Sequence, residues 1–387
     1  MTVVNVNPEA RSHLVKFLSD VLGQEFPSSL DLRTFVELMS QHTDALIESE
    51  KVADSDAEGC FQILFFELQE EKDTAVMLPL VGLITSALTG SESKAKLRLK
   101  ILANLYNALC SDDKVPEGQI RVDVLLAIIK YAGKTQQSAM LHGYFDLLDE
   151  LMVKWNLSLS DKRTLFVEVS KALEAEELND KAHQFLIRYL ATFDDTSDAV
   201  DTSKAAQGAI GAIRKPILCF MERHNLLGMT AMQQLENDAE YGKLYELLRI
   251  FSVGKLREYL NFYEAEKGTM ERYGLEHEEC IANMRLLSLC SLATEHEEIP
   301  YAAIAETLEV PLEEVEYWVV ATTTAKLMDA KMDQLQQVVM ISRCTHRVFE
   351  HSQWKQLAER LTTWKINVRN ILETIQRTQV IQAQSVP

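Results

Sequence analysis

Apolar residues recur every three or four positions along nearly the whole chain, the spacing of one face of an α-helix. In "SSLDLRTFVELMSQHTDALIES", Ser and Asp stand as cap candidates, and Leu32, Phe35, Leu38 and Met39 form one stripe. "SKAKLRLKILANLYNALC" repeats the pattern through Leu97, Ile101, Leu105 and Ala108, and "RVDVLLAIIKYA" through Val122, Leu125, Leu126 and Ile129. "AMLHGYFDLLDELMVKW" carries it through Leu141, Phe145, Leu148 and Met152, and predicts one continuous helix. "DKRTLFVEVSKALEA" and "NDKAHQFLIRYLATF" follow, each about four turns long. Short polar breaks separate these segments, including "SDDKVPEG", "NLSLSD" and "EELND". Helices of similar length joined by short turns predict an antiparallel α-solenoid, a degenerate HEAT- or TPR-like stack in which each hairpin buries its apolar face on the next. The acidic stretches Ser49 to Gly59 and Asp194 to Lys204 are expected to be linkers.

The texture changes after about residue 280. The helix "ECIANMRLLSLCSLATEHEEI", with Ile281, Met284, Leu287 and Cys290 on its stripe, leads into "YAAIAETLEVPLEEVEYWVV", Tyr301 to Val320. There Ile304, Ala305 and Leu308 line one helix and Val310 and Pro311 make the turn. Leu312 opens the next helix, on which Val315, Trp318 and Val319 are spaced to pack back. Ile304, Leu308, Val315, Trp318 and Val319 are therefore the expected core of a winged helix. Val338, Val339, Met340 and Ile341 are the most convincing strand candidate, with a partner expected near Lys331 to Asp333 across "QLQQ".

The final helix shows a different period. Trp354, Leu357, Leu361, Trp364, Val368, Ile371 and Ile375 are spaced 3, 4, 3, 4, 3, 4, an a/d heptad seam with polar residues elsewhere. Its first turns, around Trp354, are expected to fold onto their own domain, and the rest of the seam to finish against helices of other chains.

Composition narrows the function. The 387 residues are 47% hydrophobic and 25% charged, with formal net charge −19. A nucleic-acid binder needs Lys and Arg to displace counterions from phosphates. The helix-turn-helix instead carries Glu306, Glu309, Glu313, Glu314 and Glu316 and no basic residue, so direct DNA binding is not expected. The six cysteines are scattered without a CxxC pair, which points to reduced thiols. The first residues lack the features of a secretory signal, and the longest apolar run, "MLPLVGLI", falls short of the ~20 residues of a membrane span. A soluble cytoplasmic protein is expected.

Candidate chemistry is sparse. "YAGKTQQ" resembles a phosphate loop, but Ile128 stands where the first glycine belongs, and Gly133 is read as a helix C-cap. His277 and Cys280 sit one turn apart without a second close pair of zinc ligands. "HEEIP" at His296 lacks the second His of a zincin motif. No catalytic residue, metal site or cofactor is therefore expected, and the protein is not expected to be an enzyme.

Helical repeats, a winged helix and a terminal bundling helix, in that order, resemble the PCI-domain subunits of the proteasome lid, the COP9 signalosome and eukaryotic translation initiation factor 3. "NMRLLSLCSLATEHEEIPYAAIAETLEV", "KMDQLQQVVMISRCTHRVF" and "QWKQLAERLTTWKINVRNIL" are most similar to the initiation factor 3 members. "KWNLSLSDKRTL" is the best match in the N-terminal half. The resemblance implies an all-α fold with a small β-ribbon: helical repeats over 1–204, a PCI domain over 205–345 with its winged helix at about 281–345, and a bundling helix and tail over 346–387. It also implies a non-catalytic scaffold, partnered by other PCI and MPN subunits and, through the complex, by the 40S ribosomal subunit, in recruiting initiator tRNA and mRNA. Val338, Val339, Met340 and Ile341 would then join a side-by-side ribbon interface, and the Trp354 to Ile375 seam a helical bundle. A scaffold of the signalosome or lid, or a helix-turn-helix nucleic-acid regulator, are the alternatives.

Overall fold

The computed structural model describes residues 10–27, 30–71, 73–110, 118–193, 201–221, 225–347 and 351–384. These residues are helical apart from one small three-stranded sheet. The chain divides into two compact units, 1–194 and 195–387.

In the first unit the helices stack in pairs. Asp54–Glu70 lies against Ala95–Cys110, Gly118–Lys134 against Leu159–Glu174, and Leu159–Glu174 forms a hairpin with Asn179–Leu190. The predicted stripes turn inward: Phe35, Met39, Ile101, Leu105, Val122, Leu125 and Ile129 are buried. Polar groups fix the ends. Asp31 caps Leu32–Gln41 and Ser158 caps Leu159–Glu174 through backbone amides that the helices leave unpaired. The fully buried Arg98 donates to the carbonyls of Ser93 and Leu88 and pairs with Asp44 at 2.6 Å, so a cation closes the C-terminal end of Thr74–Thr89.

Three expectations change here. The stretch 138–154 is a 3-10 turn followed by the short helices His142–Phe145 and Leu148–Lys154, so its stripe is not one continuous helix. The expected linker at 49–59 is already helical from Asp54, where Asp54 and Asp56 favour the positive end of the helix. Gly133 lies within Gly118–Lys134 and is not its C-cap. A Cβ there would stand 2.9 Å from Ala172 Cα and Cβ, so the glycine permits close approach to the neighbouring helix. The left-handed residue that ends this helix is Gln136, at φ 54°.

In the second unit the helices Thr202–Arg214, Gly242–Val253, Leu256–Ala265 and His277–Glu295 lead into the winged helix. Strand β1 is Glu298–Pro300, β2 is Met328–Asp333 and β3 is Val338–Cys344. The helices Tyr301–Leu308 and Val315–Thr324 lie between β1 and β2. The turn between them passes through Glu309 at φ 51°, a conformation costly for a residue with a Cβ. Arg285 offsets that cost by donating to the Leu308 carbonyl at 3.1 Å while its guanidinium lies 5.2 Å from the Trp318 ring centre. Ile304, Leu308, Val315, Trp318 and Val319 share one buried cluster with Leu289, Ile299 and Val339. The wing turns at Asp333, whose carboxylate accepts from the amides of Leu335 and Gln336, both at 3.0 Å.

Candidate assembly interface

The sheet order is β1-β3-β2, so β3 is the central strand. Ile299 is registered with Val339 on one side and Lys331 with Met340 on the other. The sheet thus adds a third strand to the expected two-stranded ribbon, with β1 paired to Val338, Val339 and Met340 only. Of the residues expected at a ribbon interface, Val339 is fully buried and Met340 is exposed. β1 is a three-residue strand ending in proline and carries too little periodicity to be recognised in sequence. Val338 and Ile341 are half-buried, with Ile341 packed on the core, and Met340 points out from the opposite face. The outer edge of β2 carries Asp329, Lys331 and Asp333, charges that blunt indiscriminate strand pairing.

The second winged-helix helix buries Val315, Trp318 and Val319 and leaves Tyr317 and Val320 exposed, and the 3-10 turn before it, Leu312–Glu314, exposes Leu312 and Glu313. Glu316 is tied to the fold, accepting from the Tyr301 hydroxyl at 3.3 Å and from Gln334 Nε2 at 3.1 Å. Acidic and apolar side chains in this position meet the wrong charge on a phosphate backbone.

The largest unburied apolar feature is the last helix, His351–Gln384, whose 34 residues span about 50 Å. Trp354, Leu357, Leu361, Trp364, Val368, Ile371 and Ile375 are between 39% and 67% exposed. Leu372, which the heptad assignment leaves out, is also exposed and widens the stripe. Trp354, expected to fold onto its own domain, is 59% exposed. Ahead of the helix stands a polar anchor. Arg347 Nη1 donates to the Gly254 carbonyl at 2.8 Å and to Ser291 Oγ at 3.3 Å, and Nη2 donates to Phe251 and Ile250 carbonyls. Burial pushes the pKa of this guanidinium down to about 10. Nothing in the hydrophobic periodicity marks Arg347, because an isolated Arg next to a helix start reads as surface.

His277 and Cys280 have structural roles. The His277 ring stacks 3.7 Å from that of Tyr263, and its Nδ1 is hydrogen-bonded to the Tyr259 hydroxyl at 2.8 Å. Cys280 is buried, and burial raises its pKa to about 11. Among the described residues no group of three or more His, Cys, Asp or Glu side chains could hold a metal ion. Among the described residues no helix is long and apolar enough to cross a membrane.

Two family models match this half of the chain. The PCI domain covers residues 256–343, and the model described as "eIF3 subunit M, C-terminal helix" covers 347–375. The second contains Arg347 and the whole seam. A Dictyostelium discoideum protein named eukaryotic translation initiation factor 3 subunit M is 30% identical over 353 residues, 90% of this chain and 86% of the relative. Proteins of the same name from Chaetomium globosum and Danio rerio are 30% and 28% identical, over 87% and 81% of this chain and 80% of each relative.

Proposed function

This chain belongs to the subunit M family of eukaryotic translation initiation factor 3, and we propose that it works there as a non-catalytic scaffold that joins the complex through its last helix. The carrying observation is the heptad seam from Trp354 to Ile375, which the described residues leave between 39% and 67% exposed. Burying such a stripe releases roughly 25 cal/mol for each Å² of apolar surface removed from water. Helices of other subunits with matching stripes provide that cover by knobs-into-holes packing. The ribbon of β2 and β3, on which Met340 is exposed, forms a second contact with a neighbouring PCI subunit. The partners are other PCI and MPN subunits and, through them, the 40S ribosomal subunit, with recruitment of initiator tRNA and mRNA in the cytoplasm as the outcome. The formal charge of −19 suits a protein that contacts protein more than RNA.

The test is affinity purification of the full chain from cell extract, with partners identified by mass spectrometry, beside a variant carrying Leu361→Glu, Trp364→Glu and Val368→Glu. The unaltered chain is expected to recover initiation factor 3 subunits and 40S ribosomes, and the variant to lose them. Equal recovery by both overturns the role of the seam. Recovery of signalosome or proteasome-lid subunits in their place overturns the assignment of the complex.

A further inference from the structure

Cys290 and Cys344 are 54 positions apart in sequence, yet their sulfurs lie 3.7 Å apart. Cys290 is fully buried on His277–Glu295, and Cys344 ends β3 half-buried. Both thiols are oriented by backbone carbonyls: Cys290 Sγ lies 3.0 Å from that of Thr345, and Cys344 Sγ 3.2 Å from that of Cys290. At this separation the sulfurs touch without being bonded, and a disulfide of ~2.05 Å is reached by a sulfur movement of about 1.7 Å. The Arg347 cation hydrogen-bonds Ser291, the residue after Cys290, and so places positive charge beside the pair.

The two thiols differ in their environment. Contact with the neighbouring sulfur, together with burial, pushes the Cys290 thiol up. Cys344 is the more accessible of the two and is therefore the one that meets an oxidant from solvent. Burial pushes Cys60 and Cys280 up to about 11, and among the described side chains neither is paired with a second sulfur.

We propose that Cys290 and Cys344 form a peroxide-sensitive thiol pair that closes reversibly to a disulfide at the root of the seam helix. The Cys344 thiolate attacks one oxygen of hydrogen peroxide and the O–O bond breaks. Hydroxide leaves, takes up a proton as water, and Cys344 becomes a sulfenic acid. The Cys290 sulfur then attacks the Cys344 sulfur, the S–O bond breaks, and the hydroxyl departs as a second water with the proton of Cys290. Two thiols lose two electrons in total, and one peroxide becomes two waters. A small dithiol reverses the step by thiol–disulfide exchange. The bridge ties the end of β3 to His277–Glu295 only three residues before Arg347, so oxidation locks the segment from which the seam helix leaves.

The test treats the reduced full chain with hydrogen peroxide and maps its peptides without reduction. The expected main product is a Cys290–Cys344 cross-linked peptide that disappears with dithiothreitol and forms about tenfold faster than any oxidation of Cys60 or Cys280. Cys344→Ser is expected to abolish oxidation of Cys290, and the oxidised wild type to unfold at a higher temperature than the reduced form. Accumulation of Cys344 sulfinic acid without a cross-link overturns the proposal. Oxidation of Cys290 at an undiminished rate in Cys344→Ser does the same, and the first outcome is read on the wild-type chain without any variant.

Discussion

Arg347 Nη2 donates to the Phe251 carbonyl at 2.5 Å, joining the residues just before the seam helix to the C-terminal end of Gly242–Val253. The cation meets the negative end of that helix, and its neighbouring bonds to Ile250 and Gly254 distribute the charge over three carbonyls.

Replacing Arg347 with Met keeps the aliphatic stem and removes these bonds. Hydrogen bonds to a charged group contribute about 1.5–3 kcal/mol, so urea unfolding of Arg347→Met is expected to show a loss of that order. Arg347→Lys is expected to restore only part of it, because an ammonium cannot reproduce the fork that reaches Phe251 and Gly254 together. No change in either variant would remove Arg347 as the anchor.

Core and seam separate by where a truncation acts. Leu308 is fully buried, and Leu308→Ala is expected to cost about 2–5 kcal/mol of stability. Trp364 is 67% exposed, and Trp364→Ala is expected to change the stability of the isolated chain by less than about 0.5 kcal/mol. Its effect belongs to assembly, as weaker recovery of partner subunits. Equal thermal destabilisation by the two substitutions would assign Trp364 to the chain's own core.

Gly133 and Ala172 form a close helix crossing. The Cβ of Gly133→Ala would sit 2.9 Å from Ala172, and overpacking of this kind costs about 1–3 kcal/mol. Ala172→Gly is expected to relieve part of that cost in the double variant. A double-mutant cycle with no coupling between the two sites would disprove the contact.

His277 provides a pH dependence. Burial lowers its pKa below the usual 6.5, with Lys267 acting the same way and Glu278 opposing. The unfolded chain then takes up the proton first, so the contribution of His277 is complete above pH 6.5 and declines as pH falls through that value toward its lower folded pKa. Protonation also fixes Nδ1 as a donor in its hydrogen bond with the buried Tyr259 hydroxyl. Denaturant unfolding between pH 7 and 5 is expected to show stability declining with acidification in the wild type, and a flatter profile in His277→Gln. Identical profiles would exclude this residue as a source.

The stripes through Leu97, Ile101 and Leu105, through Ile304 and Leu308, and from Trp354 to Ile375 were legible because periodicity reports which side chains share a face of one element. It does not report what covers the face. The first two stripes are buried within the chain and the third is left in water, although all three are apolar at helical spacing. The β-branched run Val338 to Ile341 likewise located β3 but not its central position, since β1 supplies only Glu298–Pro300 and pairs with β3 through contacts some forty positions away.

The sequence alone thus determined most of the helices, strand β3, the winged-helix core and the presence of a seam, all local properties of pattern and propensity. Tertiary structure decided the rest. Val339 turns inward, Gly133 meets Ala172, Arg347 reaches Phe251, and Cys290 comes to rest against Cys344. Each depends on two distant segments being brought together, and residue spacing along one segment carries no record of the other's position.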